Sequence, residues 1–310
     1  MMLHSVTGEM EKAWLDYEPL TLLSFYESLL ERIIEVYTPY RYMVERYSKI
    51  VQRKVYPITK DYLERNPEIV DQNVTLLKNA MELWRTATRA SDTVAPMLYH
   101  YSWHCFNSFF IYTFFRWEPE HSTSHGLHIS KWSANIQDIE IAFLKQKVNI
   151  TRGILQRLID TWTLLGASLI FSSYLPIWKN EEIDFIPNNY IKFNSLSVKQ
   201  LLSLSTSDFE EELHSRMRGR LIICPFLINS ISLPSDSLIN YLIVFIASSL
   251  SRYRPALWNS VILGKNQDQS IFALRFRRAL AEYACATGLL YQVNRLIREI
   301  IDGKFTFKKF

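Results

Sequence analysis

Three histidines between residues 121 and 128 have a spacing that could bring their imidazole groups together. His121, His125 and His128 are separated by four and then three positions, which would place them on one face of a helix. A zinc site would normally add a cysteine or carboxylate ligand, and the chain has no HExxH motif. Gly126 and the hydroxyl-bearing residues nearby favour a loop instead. We therefore predict neither a metal nor another cofactor, but a polar loop in which His125 binds phosphate or a partner.

Two further histidines, His100 and His104, lie one helical turn apart in a segment rich in aromatic residues. Their neighbours Tyr99, Tyr101 and Trp103 indicate that this segment is packed inside the protein. Buried polar groups in proteins are nearly always hydrogen-bonded. We therefore predict core histidines that bond to backbone groups or to tyrosine.

Arg252 and Arg254 follow an apolar segment that is typical of a buried helix, and Pro255 comes directly after them. Guanidinium groups near a helix C-terminus complement the helix dipole and can pair with carboxylates of the same fold. The same groups bind phosphate well because a guanidinium can donate two parallel hydrogen bonds. Two roles for this pair stay open: structural pairing, and binding of phosphate or an acidic partner.

The last forty residues are basic. Residues 271–310 contain eight Lys and Arg against three Asp and Glu, in a chain whose formal net charge is +4. Such a segment can attract phosphates or an acidic partner, and Arg275, Arg277 and Arg278 are the candidate ligands. The alternative is a solvated helix face with a basic end.

The spacing of apolar residues predicts a mainly α-helical protein, and the low glycine count of 8 agrees with that. The predicted organisation is a single compact unit with two lobes. Residues 1–135 form an N-terminal helical lobe, and residues 136–310 add a small β-hairpin and a C-terminal helical lobe. Residues 136–151 alternate as a hairpin does, whereas the Pro-, Ser- and Gly-containing segment 117–133 is typical of a loop. Helices are predicted over residues 19–54, 68–89, 91–115, 153–171, 197–204, 208–217, 236–251, 258–263 and 269–301.

The composition is that of a globular protein, with 48% hydrophobic and 21% charged residues. Two uncharged runs, 94–115 and 161–178, contain proline and polar groups that are costly in lipid, so we predict buried helices and no membrane span. The three cysteines form no CxxC pair, and the first residues lack an apolar run. These features predict a cytoplasmic protein with reduced thiols.

Residues 241–258, YLIVFIASSLSRYRPALW, resemble the C-terminal signature of the YaaC-like proteins of bacteria. In that family a buried helix ends in a similar Ser-x-x-Arg-Tyr-x-Pro-x-x-Trp turn. Looser matches lie at residues 96–101 (PMLYHY), 124–127 (SHGL) and 195–202 (SLSVKQLL). The family is poorly characterised, so the resemblance implies a fold more than an activity.

The helical core of YaaC-like proteins resembles the HEPN group, whose members occur in ribonucleases, toxins and phage-defence systems. Many HEPN proteins act as dimers and cleave RNA without metal through Arg-x(4–6)-His. The resemblance therefore implies that Arg116 binds phosphate and that His121 is a general acid or base, because four residues separate them. Trp117 and Pro119 depart from the family pattern, in which a polar residue follows the arginine at a helix start. A structural or surface role for Arg116 and His121 is the alternative.

Three functions follow from these observations. The leading one is a protein-interaction module of a bacterial stress or phage-defence complex, working with a protein partner or as a homodimer. The second is a HEPN-type, metal-independent ribonuclease. The third is RNA or DNA binding without cleavage through the basic C-terminal segment.

Overall fold

The structure is a computed structural model. It describes residues 7–37, 54–118, 124–143, 145–146, 150–151, 153–155, 195–203, 235–284 and 289–303, with positions 41, 44, 45, 48, 157, 158 and 161 between them. This part of the chain is mainly helical, as predicted. Its α-helices are α1 Thr7–Leu15, α2 Leu23–Tyr37, α3 Lys60–Arg65, α4 Glu68–Arg89, α5 Ala95–Phe114, α6 Val198–Ser203, α7 Ser235–Tyr253, α8 Pro255–Leu263, α9 Gln267–Ala284 and α10 Leu289–Ile301.

Short antiparallel strands connect some of the helices. Strand β1 (Lys54–Pro57) pairs with β2 (Phe115–Glu118), in a register that sets Tyr56 opposite Arg116. A three-stranded sheet has the order β3 (Leu127–Lys131), β4 (Glu140–Phe143) and β7 (Ser195–Ser197). The last pair is β5 (Lys145–Gln146) with β6 (Ile150–Thr151). Short 3-10 helices cover Glu18–Thr21 and Ile136–Asp138.

Helix α5 lies at the centre of the hydrophobic core, where it packs against α4 and α7. It begins with Pro96 in its first turn, where a missing N–H costs nothing. Apolar and aromatic side chains of α5 itself point to all sides, so the helix lacks a distinct polar face. All but five of its positions are buried. Trp103 of α5 stacks on Tyr283 of α9, with ring centroids 3.9 Å apart. The aromatic run therefore forms core packing, as predicted.

Polar groups within this core bond to one another. The Asn73 side-chain amide donates to the Tyr26 hydroxyl at 2.9 Å and to the Tyr112 carbonyl at 3.2 Å. Ser102 donates to the Ala80 carbonyl, which ties α5 to α4. These bonds satisfy groups that would otherwise be buried without partners, and so they fix how α2, α4 and α5 pack.

Two residues that follow the first helix bond to the last helix. Asp16, just after α1, accepts hydrogen bonds from Asn294 at 2.8 Å and from Arg298 at 2.5 Å. The Tyr17 hydroxyl is fully buried and donates to the Leu290 carbonyl. Residues separated by more than 270 positions in the sequence are thus direct neighbours in the fold.

Two strands occur where the sequence predicts a loop. Residues 117–133 contain the end of β2 and all of β3. Strand β2 pairs with β1, which is distant in sequence, whereas β3 pairs with β4, the next strand along the chain. The predicted hairpin over residues 136–151 is only partly correct. Ile136–Asp138 is a 3-10 helix and β4 pairs with β3 and β7, whereas β5 and β6 do form a small antiparallel pair.

The predicted helices 68–89, 91–115, 197–204, 236–251 and 258–263 are confirmed with small shifts of their ends. The helix predicted over 269–301 is two helices, α9 and α10. Residues 38–53 of the predicted helix 19–54 lie largely outside the described residues, as do 162–171 and 208–217. The division into lobes at residue 135 stays a prediction. No helix in the described ranges is long and apolar enough to cross a membrane.

Candidate functional site

Helix α5 presents two histidines one turn apart toward α7. His100 is fully buried, and its ring lies 5.6 Å from the Tyr241 ring and 5.5 Å from the Phe245 ring. His104 is partly buried. Because residues four positions apart share one face of a helix, both imidazoles reach the same side of α5. That side faces the loop that carries His125.

The loop Ser124–Gly126 places a third imidazole beside the other two. Gly126 has a φ of +79°, a left-handed conformation that favours glycine. Gly153 packs against this loop, and the next residue, Ile154, donates its backbone N–H to the Ser124 carbonyl at 2.9 Å. A Cβ atom on Gly153 would lie 2.4 Å from the Gly126 nitrogen and 2.6 Å from the Ser124 oxygen. Close backbone packing therefore sets the position of His125.

The three imidazoles make direct contact, and we call them the histidine cluster (His100, His104 and His125). Nδ1 of His125 lies 3.2 Å from Nε2 of His100 and 3.1 Å from Nδ1 of His104. A ring nitrogen carries either one hydrogen or one lone pair, so these two contacts leave Nδ1 of His125 no capacity for a further hydrogen bond. No residue in the described part of the chain contacts Nε2 of His125 within hydrogen-bonding distance. That nitrogen is the one that can exchange a proton with a ligand.

All three histidines are neutral at physiological pH. Burial lowers the pKa of His104 to about 3, and the neighbouring His125 adds to that effect. Burial also lowers the pKa of His100 well below 6.5, with His125 as the next cause. The pKa of His125 is lowered first by burial and then by the positive charge of Arg252. A neutral imidazole can accept a proton, so His125 has the protonation state of a general base.

Arg252, at the end of α7, brings a positive charge next to the cluster. Its guanidinium donates to the Tyr101 hydroxyl at 3.0 Å and to the Ser248 carbonyl at 3.3 Å. The Tyr101 ring in turn lies 5.8 Å from the His125 ring. A guanidinium has five N–H donors, and these two bonds leave donors for an anion. Tyr101 therefore contacts both Arg252 and His125 and links the two side chains.

A second arginine and two aromatic rings continue this surface outward. We call Trp132 and Tyr253 the aromatic pair; their centroids are 6.4 Å apart at an interplanar angle of 68°. Arg254 lies over Trp132 at 5.5 Å, and Arg252 lies over Tyr253 at 5.0 Å. Both distances are within the range of cation–π attraction. The structural role predicted for Arg252 and Arg254 would pair them with carboxylates, but among the described residues their neighbours are aromatic rings and neither has a carboxylate partner. Binding of phosphate or an acidic partner stays a prediction.

The pair Arg116 and His121 cannot be assembled from the described residues, because residues 119–123 lie outside them. Arg116 itself is on β2, where its guanidinium lies 5.2 Å from the centre of the Tyr56 ring and 4.7 Å from that of Tyr62. These contacts fit the structural alternative for Arg116. A catalytic role for the pair stays a prediction.

Two of the three arginines of α9 share one carboxylate partner, and the third lines a cavity. Arg275 donates to Glu282 at 3.2 Å, and Arg278 bonds to the same carboxylate. Burial raises the pKa of Glu282, but hydrogen bonds from Arg278 and Asn240 and the charge of Arg275 outweigh it, so the pKa is lowered. Arg277 lines a small cavity beside Trp258. Two of the predicted phosphate ligands are thus already paired inside the fold, and binding through them stays a prediction.

The sequence groups His125 with the wrong histidines. His128 is exposed on β3 and is absent from the cluster, whereas His100 and His104 contact His125 across 25 and 21 residues. Their predicted partners, backbone or tyrosine, are also wrong, since both ring contacts are to an imidazole. Gly153 was missed because its role depends on a long-range approach of two loops. Across the described residues, no group of three or more His, Cys, Asp or Glu has an arrangement that could hold a metal ion.

Gly153→Ala should disturb the loop that carries His125. The added methyl would meet three backbone atoms of Ser124 and Gly126, and the φ of +98° is strained for alanine. We expect the free energy of unfolding in urea to fall by about 2–3 kcal/mol. Gly303→Ala is the matched control, because Gly303 also has a positive φ but nothing lies within 4 Å of its added Cβ. Equal losses in the two variants would contradict a special role for the close approach.

Acidification should destabilise the protein through the buried histidines. In the unfolded chain His104 takes up a proton near pH 6.5, whereas in the folded protein it does so only near pH 3. The unfolded state binds more protons between these values, so stability falls as pH drops below 6.5. His104→Gln should reduce that slope by about 1.4 kcal/mol per pH unit between pH 6 and pH 4.5, measured by urea denaturation. The exposed His128→Gln control should keep the slope of the unmodified protein; a His104→Gln slope that matches it would refute the assignment.

Comparison with known proteins finds a family match over part of the chain. A family model described as YaaC-like Protein matches residues 157–283. No curated protein and no solved structure matches the chain. The match contains Arg252 and the signature at residues 241–258, whereas the histidine cluster precedes it. A HEPN-like core stays a prediction; the resemblance to the YaaC-like proteins is confirmed over residues 157–283.

Proposed function

We propose that the histidine cluster and Arg252 form an acid–base site that cleaves RNA. The observation that carries the proposal is His125, a neutral, half-buried imidazole with one ring nitrogen held by the cluster and Arg252 nearby. This is the ribonuclease alternative drawn from the sequence, with His125 and Arg252 in place of His121 and Arg116.

The contacts of His125 support a general-base role. When Nδ1 of His125 carries the hydrogen, it donates to an imidazole nitrogen of the cluster and leaves the lone pair on Nε2. A second imidazole that fixes orientation and tautomer plays the part that a carboxylate or carbonyl plays in other bases. His104 and His100 are therefore positioning residues, and His125 is the group that would touch the substrate.

The reaction is an internal transfer at phosphorus. Nε2 of His125 removes the proton from a ribose 2′-hydroxyl, and the 2′-oxygen forms a bond to the adjacent phosphorus. The bond from phosphorus to the 5′-oxygen breaks and that oxygen takes a proton from a water molecule. The hydroxide left behind takes the proton from Nε2 of His125, which restores the neutral base. The products are a 2′,3′-cyclic phosphate and a 5′-hydroxyl. Arg252 stabilises the negative charge that builds up on the phosphoryl oxygens, as a guanidinium donor can.

Purified protein should cleave RNA in the presence of EDTA, and His125→Ala should lower kcat/KM by about 10²- to 10⁴-fold. Arg252→Lys keeps the charge but loses the planar donor set, so we expect a smaller loss. His128→Ala is the matched control on the neighbouring strand. The pKa of His125 is lowered, so the acid limb of the pH profile should lie below pH 6.5. Undiminished cleavage by His125→Ala would remove this function.

A second function, the protein-interaction module, is favoured by several exposed apolar residues near the start of α2. Leu22, Leu23 and Phe25 are 56%, 44% and 54% exposed, and Leu15 before them is 53% exposed. Neighbouring apolar side chains in water are costly, and such patches are common at protein interfaces. We propose a second copy of the chain as the partner, consistent with the predicted homodimer. Membership of a stress or phage-defence complex stays a prediction.

Self-association can be measured by sedimentation velocity as the protein concentration is raised. The unmodified chain should shift from monomer to dimer, and Phe25→Glu should remain monomeric, because a buried carboxylate without a partner opposes association. Ile301→Glu, at an apolar position of similar exposure on α10, should dimerise normally. A chain that is monomeric at every concentration would exclude this interface.

A further inference from the structure

We propose that Tyr253 and Trp132 form a stacking surface for an unpaired nucleobase beside the histidine cluster, so that the substrate class is single-stranded RNA. The inference rests on the proposed function, because it names what the same site binds. It is carried by a continuous series of contacts that leads from the buried imidazoles to an exposed aromatic ring.

The series begins at His125 and reaches solvent at Tyr253. The His125 ring lies 5.8 Å from the Tyr101 ring, and the Tyr101 hydroxyl accepts a hydrogen bond from Arg252 at 3.0 Å. The Arg252 guanidinium also lies 5.0 Å from the centre of the Tyr253 ring. Each step is a direct contact, so a ligand held by Arg252 is also next to Tyr253.

Tyr253 is unusually exposed for a large aromatic residue at this place. Its relative exposure is 63%, although the twelve residues from Ile239 to Leu250 that precede it on α7 are all buried. Helix α7 ends at Tyr253 and α8 begins at Pro255, so the ring stands at the break between two helices. The break leaves most of the ring exposed beside two guanidinium groups.

The two arginines and two rings alternate in space. Arg252 lies over Tyr253, Tyr253 contacts Trp132 edge to face, and Arg254 lies over Trp132. Single-strand binding sites combine aromatic rings that stack on bases with positive groups that follow the phosphates. Here two aromatic rings and two guanidinium groups contact one another, so both kinds of group are present side by side.

The geometry selects against a duplex. A base inside a double helix has both faces covered by its neighbours, so it can stack on Tyr253 only after it leaves the helix. An unpaired base has a free face and needs no such step. The ribose and phosphate next to a base on Tyr253 would lie toward Arg252 and the cluster.

Binding can be measured apart from cleavage with a fluorescent 2′-O-methyl RNA oligonucleotide, which lacks the attacking hydroxyl. Tyr253→Leu should weaken anisotropy-detected binding about tenfold or more, since stacking of a base on an aromatic ring contributes about tenfold to hundredfold in affinity. Tyr253→Phe keeps the ring and should bind as the unmodified protein does. Tyr291→Leu is the matched control, an exposed tyrosine on α10.

Two further probes decide the substrate class. The same sequence annealed to its complement, and an abasic strand of equal length, should both bind at least as weakly as the single strand binds to Tyr253→Leu. Equal affinity for single strand and duplex, or unchanged binding by Tyr253→Leu, would overturn the stacking surface while cleavage by His125 could still stand. Tight binding that depends on Tyr253 with no cleavage of ordinary RNA would keep the surface and refute the ribonuclease.

Discussion

The position of α5 between α4 and α7 is the constraint on which the rest of the described structure depends. A helix with aromatic residues on nearly every side must be covered all round, and here α4, α7, α9 and the strands provide that cover. Once α5 is enclosed, its few polar side chains must find partners inside the protein. His100 and His104 are such groups, so the burial that makes the core stable also determines where imidazole chemistry is located.

The site that results combines groups from separate parts of the chain. α5 contributes two histidines and a tyrosine, the Ser124–Gly126 loop contributes His125, and the end of α7 contributes Arg252. Glycines at 126 and 153 allow the loop to approach the protein closely enough for ring contact. Burial lowers the pKa of His125, and the positive charge of the nearby Arg252 lowers it further. Both effects keep the His125 imidazole unprotonated at neutral pH.

Local patterns account for what the sequence predicts well. The apolar stripe of α4 and the aromatic run of α5 identify these helices without any knowledge of their neighbours. Strand β3 was missed because the Pro-, Ser- and Gly-containing segment around it is typical of a loop, and β2 because its partner β1 is distant in sequence. The histidine cluster was missed for the same reason: a four-residue spacing relates His121 to His125, but the contacts of His125 are to residues on another element. Arg252 was identified as a binding candidate from its place after an apolar helix, while its aromatic neighbours depend on tertiary packing.

The bonds that join Asp16 and Tyr17 to α10 have a consequence for biosynthesis. A ribosome makes the chain from its N-terminus, so the residues after α1 emerge long before Leu290, Asn294 and Arg298 exist to receive them. Until then Asp16 and the Tyr17 hydroxyl lack these partners, although Trp84 and Phe106 are already present to pack on Trp14 and Tyr17. The N-terminal segment can therefore pack on α4 and α5 early in synthesis, whereas its hydrogen bonds to α10 form only when the end of the chain has been made.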